Sequence, residues 1–412
     1  MLAITGCSAT RAGRKYSKEE AAKNLEHFEK TGLVIGEFPI DGANAVIDGD
    51  TIRVKGLQST LRLVCIDTEE TFKHDFERKA YASQTFDQYV KGLRGTSPRP
   101  VKMATPNGDA AKHWAQGFFE GVTSVRLERD HPGEIRDYYG RYLAYVFVQK
   151  DGRWINYNLE AVRAGWAPYF TKYGQSRRFH EQFVEAQRTA QEAKLHIWSD
   201  DPKEQHYPDY PERLEWWNGR GAQVAAFEKE AENDPSKIVL SRWDALYTLE
   251  KMQGKEVTVL GAVSDVKLGD KGPSVVKLSR SRGSDFAVIF WDKDVFLSSG
   301  AAKAKGEFIQ VKGIASKYVD KKSGYEQLQM KVSLPGQVLV PPAIQKLPNP
   351  TLVATDTAVR DAAEGADVKT TTVRAEKPAE KSDEVALPDG ILGPMKKGSK
   401  KSPDEVFESD GE

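Results

Sequence analysis

Thr60-Leu61-Arg62-Leu63-Val64-Cys65-Ile66-Asp67-Thr68-Glu69-Glu70 is the stretch on which the reading of this chain turns. Its apolar run predicts a strand from Thr60 to Ile66. Arg62 sits inside the run with an apolar neighbour on each side, and burying a guanidinium is expensive unless an anion meets it. Asp67 ends the strand and Glu70 follows three residues later. Acidic residues clustered at strand ends offer hard oxygen donors, suited to Ca²⁺ or Mg²⁺ and not to zinc.

Upstream, Ala45-Val46-Ile47 runs into Asp48-Gly49-Asp50, and Thr51-Ile52-Arg53-Val54 follows. Alone, Asp-Gly between two short apolar runs predicts a hairpin turn and nothing more. Downstream, Phe76 to Leu93 reads as one helix, with Tyr81, Phe86, Tyr89 and Val90 near one stripe. Arg94 to Gly121 carries Pro98, Pro100, Pro106, Gly108 and Gly117 and reads as a loop or insertion with one short helix. It either frames a substrate groove or is a neutral surface insertion. The second is favoured, because loops tolerate added length cheaply. Val122 to Glu128 and Tyr142 to Gln149 read as strands. Asn156 to Ala164 reads as a short helix, and Phe179, Phe183, Ala186 and Ala190 recur at helical spacing.

The chain as a whole has 412 residues, enough for two or three domains. Its formal net charge is zero, so any attraction to phosphate must come from a local cluster. The two cysteines, Cys7 and Cys65, exclude a disulfide framework and a Cys-rich zinc site. Cys65 reads as a small buried hydrophobe. No segment is long enough to span a membrane.

Pro202, Pro208 and Pro211 mark a change of regime, and Glu212 to Glu232 reads as a charged connecting helix with Trp216 and Trp217. Those tryptophans either stack bases or anchor the connector to a core. After Pro235 the pattern becomes strand-rich again: Glu256 to Val266, Val275 to Leu278, Phe286 to Trp291, a helical piece around Val295 to Ala304, Phe308 to Ile314, and Glu326 to Val332. Three strands, a helix and two strands match the order of an OB-fold barrel. Lys317, Tyr318, Lys321, Lys322 and Tyr325 cluster on a hairpin of that unit, which fits either single-strand binding or an ordinary solvated hairpin. Beyond Pro341 the chain is rich in Lys, Glu, Asp, Ala and Pro, with Phe407 its only aromatic, and reads as disordered.

Three blocks carry a family resemblance: Val46-Ile47-Asp48-Gly49-Asp50-Thr51, then Arg62 through Glu70, then Asp137-Tyr138-Tyr139-Gly140-Arg141. A fourth stretch, His180-Glu181-Gln182 through Lys194-Leu195-His196-Ile197-Trp198-Ser199, adds to it. In order and spacing these resemble the staphylococcal nuclease (thermonuclease) family over roughly Ala45 to Ser199. The resemblance implies a mainly β (α+β) chain with a five-stranded OB-type barrel and helices, here followed by a second OB-like barrel. It also implies that Asp50 and Asp67 ligate calcium and that Thr68 lends a backbone carbonyl. By the same resemblance Glu70 activates water, Arg62 and Arg141 clamp the scissile phosphate, and Tyr139 and Tyr169 line the nucleotide pocket. Two arginine forks and a divalent cation suit the charge that builds on phosphorus during hydrolysis.

Two positions depart from the family pattern. Glu69 stands where the family usually has proline, so the extra carboxylate would add a metal contact or misplace Glu70. Tyr138 stands where the family often has lysine, which would weaken binding of nucleotide ends. His113, His180 and His196 read as structural or exposed.

The expected organisation is a leader at 1–32, a nuclease-like domain at 33–200, a helical connector at 201–235, an OB-like domain at 236–341 and a disordered tail at 342–412. The expected function is calcium-dependent hydrolysis of DNA and RNA, single strands preferred, with little sequence preference. The alternative is a catalytically weak nucleic-acid-binding or scaffold protein; no protein partner can be deduced. Ile4-Thr5-Gly6-Cys7 looks like a bacterial lipobox. It predicts export to the cell envelope or outside the cell, with membrane attachment through lipidated Cys7. If the match is chance, the protein is cytoplasmic and the leader is plain polar chain.

Overall fold

The computed structural model describes residues 32–57, 59–281 and 284–347; Cys7, its lipobox and most of the expected tail lie outside them. The first strands are β1 (Val34–Pro39), β2 (Val46–Asp48), β3 (Thr51–Ile52), β4 (Leu61–Leu63), β5 (Ser124–Glu128), β6 (Tyr142–Lys150) and β7 (Arg153–Asn156). They form one sheet in the order β1-β5-β6-β4-β3-β2, with β7 paired to β6. Leu61 and Leu63 are buried on one side of β4, so Arg62 between them must face the other. β4 runs antiparallel to β3, setting Arg62 opposite Thr51, and parallel to β6, setting Arg62 opposite Leu143. Sequence blocks far apart in the chain thereby meet on neighbouring strands within the sheet.

This sheet does not close into the five-stranded barrel expected from the sequence. Among the described residues no strand ladder joins its β1 and β2 edges. β1 stops at Pro39, and the chain turns through a 3₁₀ segment at Gly42–Ala45 before β2. Proline has no N–H to continue a ladder. A single bond, Lys55 N to Pro39 O at 2.9 Å, spans the gap where a barrel would carry a run of them.

The helix expected over Phe76 to Leu93 is two helices, α1 (Asp75–Ala82) and α2 (Phe86–Arg94). Thr85 separates them by capping α2, with reciprocal bonds to Gln88. The expected loop at 94–121 contains a long helix, α3 (Pro106–Phe119), capped by Thr105 with Pro106 in its first turn. Ala111, Ala115 and Phe119 on α3 are buried. α4 (Tyr157–Arg163) and α5 (His180–Glu192) complete this part.

The long helix α6 (Tyr210–Ala231) follows. Trp217 is buried edge-on against Phe170, ring centroids 4.8 Å apart. Trp216 donates to Glu307 at 3.1 Å, and Arg220 donates to the Gly306 carbonyl at 2.7 Å. Both tryptophans therefore serve as packing anchors.

The later strands are β8 (Lys237–Val239), β9 (Glu256–Lys267), β10 (Ser274–Ser281), β11 (Ser284–Phe290), β12 (Phe308–Val319), β13 (Glu326–Val332) and β14 (Val338–Leu339). Helix α7 (Ala245–Lys251) precedes β9, and α8 (Lys293–Ser298) lies between β11 and β12. The order β9-β10-β11-β13-β12 closes on itself, because β12 also pairs with β9 from Phe308↔Ala262 to Ile314↔Glu256. β11 and β13 are parallel. This closed five-stranded barrel has the OB-like order expected from the sequence. Its interior is apolar, with Val257, Val259, Val276, Leu278, Phe286 and Met330 fully buried. A short helix, α9 (Pro342–Gln345), follows β14 and buries Ile344 at the start of the segment expected as a tail.

Candidate active site

The turn between β2 and β3 is held from several sides. Asp48 accepts from Gly49 N at 3.0 Å, and Tyr157 donates to the Gly49 carbonyl at 2.7 Å. A Cβ on Gly49 would lie 2.6 Å from Thr68 Cγ2, so only glycine lets the turn rest on Thr68. Asp48 and Asp50 are both buried. From β4, Arg62 spreads its fork over Asp50 and Asp67, one guanidinium nitrogen to each. The guanidinium raised as a problem by the sequence thus meets two anions.

Asp67 and Glu70 each meet a lysine that the sequence reading missed. Lys102 Nζ lies 2.7 Å from Asp67 Oδ1 and 3.4 Å from Glu70 Oε1. Lys73 Nζ lies 2.9 Å from Glu70 Oε2 and 3.9 Å from Asp48 Oδ2. Burial pushes the Asp67 carboxyl up, but Lys102 and Arg62 outweigh it and bring it down to about 2. Burial likewise pushes Glu70 up, and Lys102 and Lys73 hold it below the usual glutamate range. Asp48 goes the other way: burial first, then Asp50 and Glu70, push it up to about 7 against Lys73.

Arg141 enters from the turn before β6. Asp137 shapes that turn, accepting from the Tyr139 and Arg141 backbone N–H groups at 2.9 Å each and from Arg141 Nε at 2.6 Å. Gly140 has φ 88°, a conformation that favours glycine. The Arg141 guanidinium lies 5.7 Å over the Tyr139 ring. These groups line a groove of about 420 Å³, with Asp48, Asp50, Arg62, Asp67, Glu70, Lys73, Lys102, Tyr139, Arg141, Phe170, Lys172 and Tyr173 on its walls.

One expected site residue lies elsewhere. Tyr169 is buried, stacked on Phe183 with centroids 5.0 Å apart and its hydroxyl 2.9 Å from His180 Nδ1. It belongs to the core, and Tyr173 is the tyrosine of that segment at the groove. The Thr68 side chain is buried beneath the β2–β3 turn with its hydroxyl unpartnered. Tyr138 lines an adjoining cavity with Arg136 and Asp137.

Glu69 adds no donor to the groove. It is fully buried and points away from the groove. One carboxylate oxygen accepts from Thr105 Oγ1; the other accepts from Tyr207 N at 2.5 Å and Tyr210 Oη at 3.0 Å. It ties the loop carrying Asp67 and Glu70 to the start of α3, to Tyr207 and to α6.

Among the described residues no three His, Cys, Asp or Glu side chains converge on one point as a ready metal site. The donor set is nevertheless all oxygen, and Asp48 is held at about 7 partly by its carboxylate neighbours, a field that a hard divalent cation would relieve. Arg62, Lys102 and Lys73 now bridge these carboxylates. On the barrel hairpin, Lys317 is engaged by Glu250 at 2.7 Å and Glu326 at 3.0 Å, while Tyr318 and Tyr325 are exposed.

Residues 60–200 match the family described as staphylococcal nuclease homologue. An uncharacterized protein of Methanocaldococcus jannaschii is 30% identical over 156 residues, covering 37% of this chain and 69% of the relative. The thermonuclease of Staphylococcus hyicus is 30% identical over 157 residues, covering 38% and 73%. Endonuclease YncB of Bacillus subtilis is 32% identical over 156 residues, covering 37% and 58%. With the three sequence blocks meeting at one groove and relatives of this extent, the chain belongs to the staphylococcal nuclease family and carries an additional C-terminal domain.

Proposed function

We propose that this chain is a nuclease that hydrolyses phosphodiester bonds of single-stranded DNA and RNA with calcium as its cofactor and little sequence preference. The observation that supports it is the meeting of Asp50, Arg62, Asp67, Glu70 and Arg141, from three separated sequence blocks, around one groove. Asp50, Asp67 and the Thr68 carbonyl would hold the ion, which when bound neutralises and orients the phosphate. Arg62 and Arg141 donate forked hydrogen bonds to the phosphate oxygens as charge builds there. Glu70, kept ionised by Lys102 and Lys73, takes a proton from water as its oxygen adds to phosphorus. The P–O5′ bond then breaks and the O5′ oxygen takes a proton from solvent, leaving a 3′-phosphate and a 5′-hydroxyl. Tyr139 and Tyr173, both partly exposed at the groove, offer faces to the bases.

The alternative, a binding or scaffold module, draws on the engagement of both Asp50 and Asp67 by Arg62. Glu70→Gln and Arg141→Ala separate the two. Each should lower hydrolysis of denatured DNA by about two orders of magnitude, the usual scale of such contributions. No hydrolysis by wild type would favour the binding module, and unchanged turnover in both variants would remove this groove as the catalytic site. Envelope attachment through Cys7 is a separate proposal resting on Ile4-Thr5-Gly6-Cys7, and mass spectrometry of the native N-terminus tests it.

A further inference from the structure

The segment between α2 and α3 does not behave as a neutral surface loop. Arg213 Nη2 donates to the Val101 carbonyl at 2.6 Å. Met103 bonds through both its N–H and its carbonyl to the Tyr207 hydroxyl, at 3.0 and 2.7 Å. Tyr89 donates to the Ala104 carbonyl at 3.0 Å, and Thr105 N donates to the Glu70 carbonyl at 3.1 Å. Ala104 pairs with Glu70 in a parallel bridge. Five backbone groups, on Val101, Met103, Ala104 and Thr105, are thus fixed to the loop carrying Glu70, to α2, to Tyr207 and to α6. Lys102 points from this rigid piece into the groove, its side chain 20% exposed and its ammonium on Asp67 and Glu70.

We propose that Lys102 is a built-in counter-cation of the metal-binding carboxylates, and that a divalent cation binds Asp67 only by displacing the Lys102 ammonium. The inference rests on the cation-binding reading of Asp50 and Asp67 given above. Four carboxylates, Asp48, Asp50, Asp67 and Glu70, share the groove with Arg62, Lys73, Lys102, Arg141 and Lys172. Arg62 also holds Asp67, on the same oxygen, but among these groove cations Lys102 is the one that bridges Asp67 and Glu70, the proposed metal ligand and the proposed base. An ammonium and a divalent cation cannot share one carboxylate oxygen without strong repulsion. The pinned backbone limits how far Lys102 can retreat, so its charge weakens cation binding and keeps the displaced ammonium in the groove, where a substrate phosphate can receive it.

The test is calorimetric titration of calcium into the full chain without nucleotide, comparing wild type, Lys102→Met and Lys102→Arg. Lys102→Met should bind calcium at least tenfold more tightly than wild type, and Lys102→Arg should stay within about threefold, margins set by one removed or retained unit charge. In wild type, acetylation of Lys102 by acetic anhydride, read by peptide mass spectrometry, should speed up several-fold when calcium is added. This second readout decides the matter even if Lys102→Met fails to fold. Calcium uptake with equal or weaker affinity in Lys102→Met, or uptake with unchanged acetylation, overturns the role of Lys102 alone. No calcium uptake by any of the proteins overturns the cation reading as well.

Discussion

Replacing Glu69 with alanine should destabilise the protein far more than replacing it with glutamine. The carboxylate is fully buried and accepts from Thr105 Oγ1, Tyr207 N and Tyr210 Oη. Alanine leaves three donors without a partner, each costing about 1–3 kcal/mol, against which stands relief from burying a carboxylate. Burial raises the Glu69 pKa, so that relief is real. The net loss should be about 3–5 kcal/mol. Glutamine keeps an oxygen for Tyr207 N and Tyr210 Oη, and its amide can donate to Thr105, whose hydroxyl need only rotate. Its cost should be about 1 kcal/mol. Urea unfolding of the three proteins measures both values, and hydrolysis of denatured DNA reports on the loop that carries Asp67 and Glu70. Alanine should lower the rate by an order of magnitude or more, and glutamine should nearly preserve it, since a 1 Å misplacement of catalytic groups can cost about 10²-fold. An alanine variant within about 1 kcal/mol of wild type, or a glutamine variant as damaged as alanine, would refute the stapling role.

Three further outcomes are expected. Gly108→Ala puts a Cβ into the Glu70 carbonyl oxygen, so it should lower both activity and melting temperature, whereas Gly117→Ala, with open space around it, should be neutral or slightly stabilising. Tyr139→Ala should raise KM on denatured DNA, while Tyr169→Phe should leave KM unchanged and cost about 1 kcal/mol of stability through its lost hydroxyl contacts with His180 and Ser176. Burial, then Arg242 and Arg177, lower His131 from 6.5 to about 4, and its Nδ1 accepts from Gly133 N. Between those values the unfolded chain binds the extra proton, so stability should fall as pH drops from 6.5 to 4, by about 2 kcal/mol after allowance for partial exposure. His131→Asn should lose correspondingly less stability than wild type between pH 7 and pH 4.5 in urea titrations.

The parts of the site that were legible in the sequence are those fixed by local pattern. Arg62 in an apolar run announced a buried cation needing anions, and the acids that meet it, Asp50 and Asp67, lie at nearby turns. The closed C-terminal barrel followed from strand order alone. What could not be read was set by tertiary packing. Lys102 and Glu69 act through contacts with residues far along the chain, Asp67 in one case and Tyr207 and Tyr210 in the other; Glu69 stood out against the family pattern, but no local signal marks what either one touches. Tyr169 and Tyr173 lie four residues apart in one irregular segment, and only packing against Phe183 decides which is core and which faces the groove. The first sheet's failure to close depends on Pro39 and the 3₁₀ turn after it, a local interruption whose effect is on distant pairing.

The measurement that bears most directly on the central claim is hydrolysis of denatured DNA by the full chain, with millimolar calcium and with excess chelator. The account predicts turnover with calcium, products ending in 3′-phosphate, and abolition by chelator that added calcium reverses. No turnover with calcium, or equal turnover in chelator, would contradict it.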